Sequence, residues 1–318
     1  MTPKYNLDLT TQEFLNSLKI DKPLYEMTPD EARNFLWSIQ NQTHTNIEAS
    51  IEDVEIFDEN FGNITVKLVR PENKKDEKLP LIVYCHGGGW VMGDFEIYDM
   101  TVKTIANCTE SAVAFIEYPR SPEFPYPHAL NHISGALKFL YQNTDKYKLN
   151  RERIALVGDS AGGNMAAVTA MNLIRNSDIK LCFLALLYPV TDAEMSTESY
   201  KEFKDGPWLS KKAMEWFFKN YAPDKEIRKK HTVSPLKAST EELIGLPQTL
   251  IITAENDVLR DEGEEFARKL IDAGVDTACV RINNTFHDFI MLNALRESKA
   301  VKAGYKLLCK FLYHALHG

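Results

Sequence analysis

Apolar residues gather in short runs at 81–85, 153–157, 181–188, 248–253 and 277–282, separated by helix-patterned sequence. Runs of this kind predict strands covered on both faces, and the helices between them predict a mostly parallel, doubly wound sheet. Segment 63–69 differs, because apolar and polar side chains alternate along it. It predicts an antiparallel pairing with 51–57 at the edge of a mixed sheet. Residues 71–78 read as a charged connector into the first buried strand. Thr28, Pro29 and Glu31 form a capping box with proline in the first turn, and Ala32, Phe35, Leu36 and Ile39 follow at helical spacing, so a helix starts near Thr28. Residues 193–231 interrupt the alternation of strand and helix and crowd Trp208, Trp216, Phe217 and Phe218 together. A chain of 318 residues can bury one large core with an accessory element. The expected organisation is an N-terminal cap segment at 1–45, core at 46–192, an inserted cap segment at 193–231 and core again at 232–318. Together the two cap segments would cover the crevice at the strand ends.

Candidate chemistry starts at Gly158-Asp159-Ser160-Ala161-Gly162, which follows one apolar run and precedes the helix-like stretch 164–171. Strand, tight turn and helix make a nucleophile elbow, whose strained serine requires flanking residues without side chains. Gly-x-Ser-x-Gly alone is common. Here a second apolar run leads into His86, Gly87, Gly88, Gly89 and Trp90. Amides in such a loop, with the Ala161 N–H, could form an oxyanion hole for a tetrahedral intermediate. A phosphate loop would need lysine and serine or threonine after its glycines, and Trp90 and Val91 stand there. His86 reads as an organiser of this loop. The order serine, acid, histidine is completed by Asp257 after the run 248–253 and by His287 after the run 277–282. Strand-end loops on one edge of a parallel sheet face one crevice, so the three can meet. Glu255 and Asp261 are near neighbours of Asp257, and Asp192 is the topological alternative for the acid; His314 and His317 lie near the chain end. A trypsin-like barrel is excluded, because its histidine and aspartate precede its serine and here a long helix pattern follows Ser160.

These motifs, with Asp257-Val258-Leu259-Arg260-Asp261-Glu262-Gly263 and the proline-rich stretch around Ser121-Pro122-Glu123 and Pro125-Tyr126-Pro127, resemble the hormone-sensitive-lipase-like family of α/β-hydrolase esterases. The resemblance runs from about Ile51 to the C-terminus. Pro119-Arg120 and Val258 depart from it, where arginine then leucine, and proline, are usual. It implies an α/β-hydrolase fold with a helical cap and hydrolysis of short- to medium-chain acyl esters. It also implies a triad of Ser160, Asp257 and His287, and Gly88, Gly89 and Ala161 as oxyanion donors. A cap of this kind supplies an apolar pocket, with Trp208 the leading candidate to line it and Trp90 and Tyr188 the others. An amidase or formamidase could use the same triad. A non-hydrolytic receptor on this fold lacks the histidine, and His287 argues against that reading. By analogy with relatives a homodimer is possible.

The formal net charge of −8 argues against a nucleic-acid partner. The polar start of the chain lacks a signal-peptide core, and no run is long enough to cross a bilayer. Five scattered cysteines, Cys85, Cys108, Cys182, Cys279 and Cys309, are expected as reduced thiols in a cytoplasm, with no disulfide framework. His128 and His132 have zinc-sharing spacing, but Ala129 stands where a zinc protease carries glutamate and a third ligand is not evident. No metal or cofactor is expected, and the partner is a small-molecule ester.

Overall fold

The computed structural model describes residues 5–41, 46–59 and 61–318. The first four residues, and 42–45 at the end of the expected N-terminal segment, lie outside them. Two helices open the described chain, α1 (Leu9–Ser17) and α2 (Pro29–Gln40). The second begins with the capping box expected from the sequence: Thr28 accepts from the Glu31 backbone and Glu31 reaches back to the Thr28 N–H. The hairpin β1 (Ala49–Asp58) and β2 (Gly62–Pro71) is antiparallel, with Val54 opposite Val66 and Ile56 opposite Ile64. Then follow β3 (Leu79–Cys85), α3 (Phe95–Thr109), β4 (Ala112–Glu117), α4 (His128–Gln142), β5 (Leu149–Asp159), α5 (Ala161–Asn176) and β6 (Phe183–Leu187). The interruption after β6 holds α6 (Glu198–Glu202), α7 (Lys211–Tyr221) and α8 (Lys225–Arg228). Short α9 (Thr240–Leu243) leads to β7 (Gln248–Asn256), α10 (Arg260–Asp272), β8 (Thr277–Phe286) and α11 (Lys299–His317).

Among the described residues, all eight strands join one sheet in the order β1-β2-β4-β3-β5-β6-β7-β8. It is parallel from β4 to β8 and antiparallel at the β1–β2–β4 edge. β3 is buried along its whole length, as its continuous apolar run requires. β8 alternates between half-buried and exposed positions because it pairs with β7 alone and forms the far edge. From β3 the chain runs one way to β4 and returns past it to β5, so the strand order reverses between β3 and β5. Loops leaving the carboxyl ends of these two strands therefore splay apart and open a crevice.

One expectation from the sequence fails. Cys108 and Cys309 form a disulfide, with Cα atoms 5.8 Å apart, whereas Cys85, Cys182 and Cys279 are free. The cause is tertiary: α3 and α11 pack against each other, and 201 residues of separation hide that from any local pattern. No described helix is long and apolar enough to cross a membrane. His128 and His132 both donate to backbone carbonyls, Nδ1 to Pro125 at 2.8 Å and Nε2 to Phe61 at 3.1 Å.

Candidate active site

β5 delivers Ser160 to the crevice. Its backbone sits at φ 54° and ψ −119°, outside the regions that non-glycine residues favour, while α5 begins at the next residue. Two contacts enforce the turn. A Cβ on Gly158 would lie 2.2 Å from the Gly162 carbonyl oxygen, and one on Gly162 would lie 1.9 Å from that of Cys85. The Ser160 N–H donates to Leu187 O at 2.8 Å, which ties the elbow to the end of β6.

Facing it are the residues expected from chain order. His287 Nε2 is 2.8 Å from Ser160 Oγ, and Nδ1 is 2.7 Å from Asp257 Oδ2. All three side chains are buried. The other Asp257 oxygen accepts the Leu259 N–H at 3.0 Å, which fixes the carboxylate plane. Burial pulls the imidazole pKa down, but Asp257 and then Asp288 outweigh it and raise the value to about 9. The alternative acids lie elsewhere. Asp192 donates its N–H to Glu262 and has Lys237 at 3.7 Å, Glu255 binds the Asn284 N–H, and Asp261 binds the Ser199 N–H. His317 bonds to the Thr109 carbonyl.

The loop after β3 supplies amides. Gly88 and Gly89 have φ of 86° and 60°, and a Cβ on either would strike Met92 O at 2.5 Å or the Phe217 ring at 2.0 Å. Among the described residues neither N–H has an acceptor, while the Gly87 N–H is taken by Tyr98 Oη and Asp159 Oδ1, each at 3.0 Å. Packing thus separates Gly87 from the two glycines beyond it, a distinction invisible in the bare triplet. His86 is wholly buried, stacked on Tyr118 with centroids 4.0 Å apart, and donates to Gly87 O at 2.9 Å. Burial pushes its pKa down to about 3, so it stays neutral.

A family model described as the alpha/beta hydrolase fold matches residues 82–291, the stretch carrying the glycine loop, Ser160, Asp257 and His287. The chain belongs to that family. It is 33% identical over 272 residues to carboxylesterase NlhH of Mycobacterium tuberculosis, covering 85% of this chain and 84% of that one. An esterase of Gibberella moniliformis is 33% identical over 249 residues, 78% of each chain. The crystal structure of a thermostable esterase from Pseudomonas putida superposes with a TM-score of 0.96 at 37% identity, covering 100% of this chain and 99% of that one.

In this α/β hydrolase a cavity of about 290 Å³ reaches Asp288, the residue after His287, and is lined also by Leu24, Phe35, Met92, Trp208 and Phe217. Most of its walls come from the N-terminal segment and from residues 193–231, with Met92 and Asp288 completing them. Of the pocket candidates, Trp208 lines this cavity. Trp90 is buried flat against Tyr221 at 4.2 Å, and Tyr188 sits edge-on behind the His287 ring at 5.0 Å. Other important groups carry little sequence signal. Buried Asp159 accepts from Tyr84 and Tyr98 hydroxyls, each at 2.9 Å, and from the Gly87 N–H, joining the elbow to the amide loop. Burial, then the charge of Asp288, raises its pKa to about 7. Its position inside the serine motif marks Asp159, but nothing in the sequence marks its tyrosines. Glu262 is equally buried and accepts the Thr191 and Asp192 N–H groups.

Proposed function

We propose that this α/β hydrolase is a serine carboxylic ester hydrolase that cleaves short- to medium-chain acyl esters through an acyl-enzyme. The observation that carries the reading is the unbroken chain from Ser160 Oγ through His287 to Asp257, set beside the Gly88 and Gly89 amides, which have no acceptor among the described residues. Ser160 Oγ attacks the ester carbonyl as His287 Nε2 takes its proton, and Asp257 stabilises the imidazolium. Gly88, Gly89 and Ala161 N–H groups receive the carbonyl oxygen as it gains charge. The imidazolium then protonates the departing alcohol. Water repeats the sequence on the acyl-serine, giving the acid and restoring Ser160. The size of the cavity, at the lower end of the roughly 300–1,000 Å³ usual for ligand sites, supports small acyl or alcohol groups. The names of the esterase relatives agree with this reading.

The test is hydrolysis of an acyl-length series of aryl esters and matched anilides by the wild type and Ser160→Ala. Ester turnover should fall by on the order of a millionfold in the variant while the fold persists. Full turnover without the hydroxyl would reject the mechanism, and faster anilide than ester turnover would reassign the enzyme as an amidase. Trp208→Ala should move the optimum toward longer acyl chains; an unchanged length profile would remove Trp208 from the pocket reading.

A further inference from the structure

The residue after the catalytic-base candidate is unusual in three independent ways. Asp288 lines the cavity, yet its side chain is only 16% exposed and Oδ1 is buried. Its backbone has φ 68°, a left-handed conformation that glycine would adopt without strain. Its two oxygens also differ. Oδ2 accepts the Trp208 Nε1–H at 2.9 Å, while Oδ1 has no hydrogen-bond donor among the described residues and lies 3.3 Å from His287 Nε2.

We propose that Asp288 is a positioning residue that acts through the base: it sets a second carboxylate against Nε2, the nitrogen that exchanges protons with Ser160, and stabilises the imidazolium formed there. The inference rests on the triad reading above. In the neutral, active form of the base the Nε2 lone pair accepts the Ser160 hydroxyl, and Oδ1, 3.3 Å from Nε2, gains nothing there. When Ser160 gives up its proton, Nε2 becomes a cationic N–H and the same oxygen turns attractive. An interaction stronger in the charged intermediate than in the ground state lowers the barrier. Trp208 holds the carboxylate in place from the opposite side, so residues 193–231 contribute a fixed electrostatic element as well as a wall.

The same charge acts on the free enzyme. Groups facing the imidazole are Asp257 at the end of β7, Asp288, Asp159 beneath Ser160 and the Tyr188 ring after β6, while Trp208 presents a neutral indole to Asp288. Lys204, Asp205 and Lys212 also line the cavity. The burial-opposed rise of His287 agrees with this arrangement. A base held protonated must lose that proton before it can act, so the acid limb of kcat/KM lies at higher pH with Asp288 than without it.

The experiment is the pH profile of kcat/KM for p-nitrophenyl acetate with wild type, Asp288→Gly and Asp288→Asn. Glycine suits φ 68° and removes the charge; the acid limb should move down by about one pH unit or more, and the alkaline plateau should drop about tenfold. Asparagine keeps an acceptor for Trp208 and should move the limb the same way, with a deeper plateau loss because its amide can donate to Nε2. A merely structural role would lower the plateau and leave the limb where it is. Superimposable limbs overturn the proposal. So does an NMR titration of His287 in the unmutated protein with a midpoint at or below the ordinary imidazole value, a readout that needs no variant to fold. Ester turnover surviving Ser160→Ala would instead remove the triad reading itself.

Discussion

At the residue scale, glycine contacts around the elbow are the tightest constraints in the site. Gly162 has the Cys85 carbonyl where its Cβ would be, so Gly162→Ala must push α5 off β3 or distort the turn. A loss of about 3 kcal/mol or more is expected in denaturant unfolding; a loss under about 1 kcal/mol would show that the backbone yields easily there. Gly89→Ala meets the Phe217 ring and a positive φ together. It should lower ester turnover about a hundredfold or more while leaving a folded protein, as measured by kcat beside circular dichroism. The serine, its flanking glycines, Asp257 and His287 were legible because each follows an apolar strand and the chemistry fixes their order. Asp288 was not, although it adjoins His287, because its meaning depends on Trp208, 80 residues away.

At the scale of elements, α2 shows how a locally legible helix acquires a non-local task. Its capping box and apolar stripe could be read directly. What it docks on could not. Gln40 Nε2 donates to Ile97 O at 2.9 Å and Met291 O at 2.8 Å, and its Oε1 accepts the Asn293 N–H at 2.9 Å. Arg33 donates to Val91 O at 2.9 Å and Ser121 O at 3.1 Å. One helix therefore pins both the segment after His287 and the segment after the glycine loop. Gln40→Ala would leave two buried carbonyls and one N–H short of a partner, with an expected cost of about 2–3 kcal/mol in unfolding experiments. A neutral result would mean that water replaces the amide without penalty. Strand assignment shows the same division: the run at 277–282 marked β8, but its place at the sheet edge emerges only from pairing.

For the molecule as a whole, the strand order reversal accounts for where the chemistry sits, since the glycine loop and Ser160 leave neighbouring strands that feed opposite halves of the sheet. The Cys108–Cys309 bond joins α3 to α11 across the 201 residues that separate them. Chain-entropy arguments give about 5 kcal/mol for so long a loop, an upper range that residual unfolded structure reduces. Reduction, or the Cys108→Ser/Cys309→Ser pair, should lower Tm by several degrees with little change in kcat at 25 °C; an unshifted Tm would show that helix packing alone secures this face. The bond has a practical corollary as well. Ser160, Asp257 and His287 all lie between its two ends, so a protease nick at any single site in that interval yields two fragments that migrate as one species until a thiol reagent parts them.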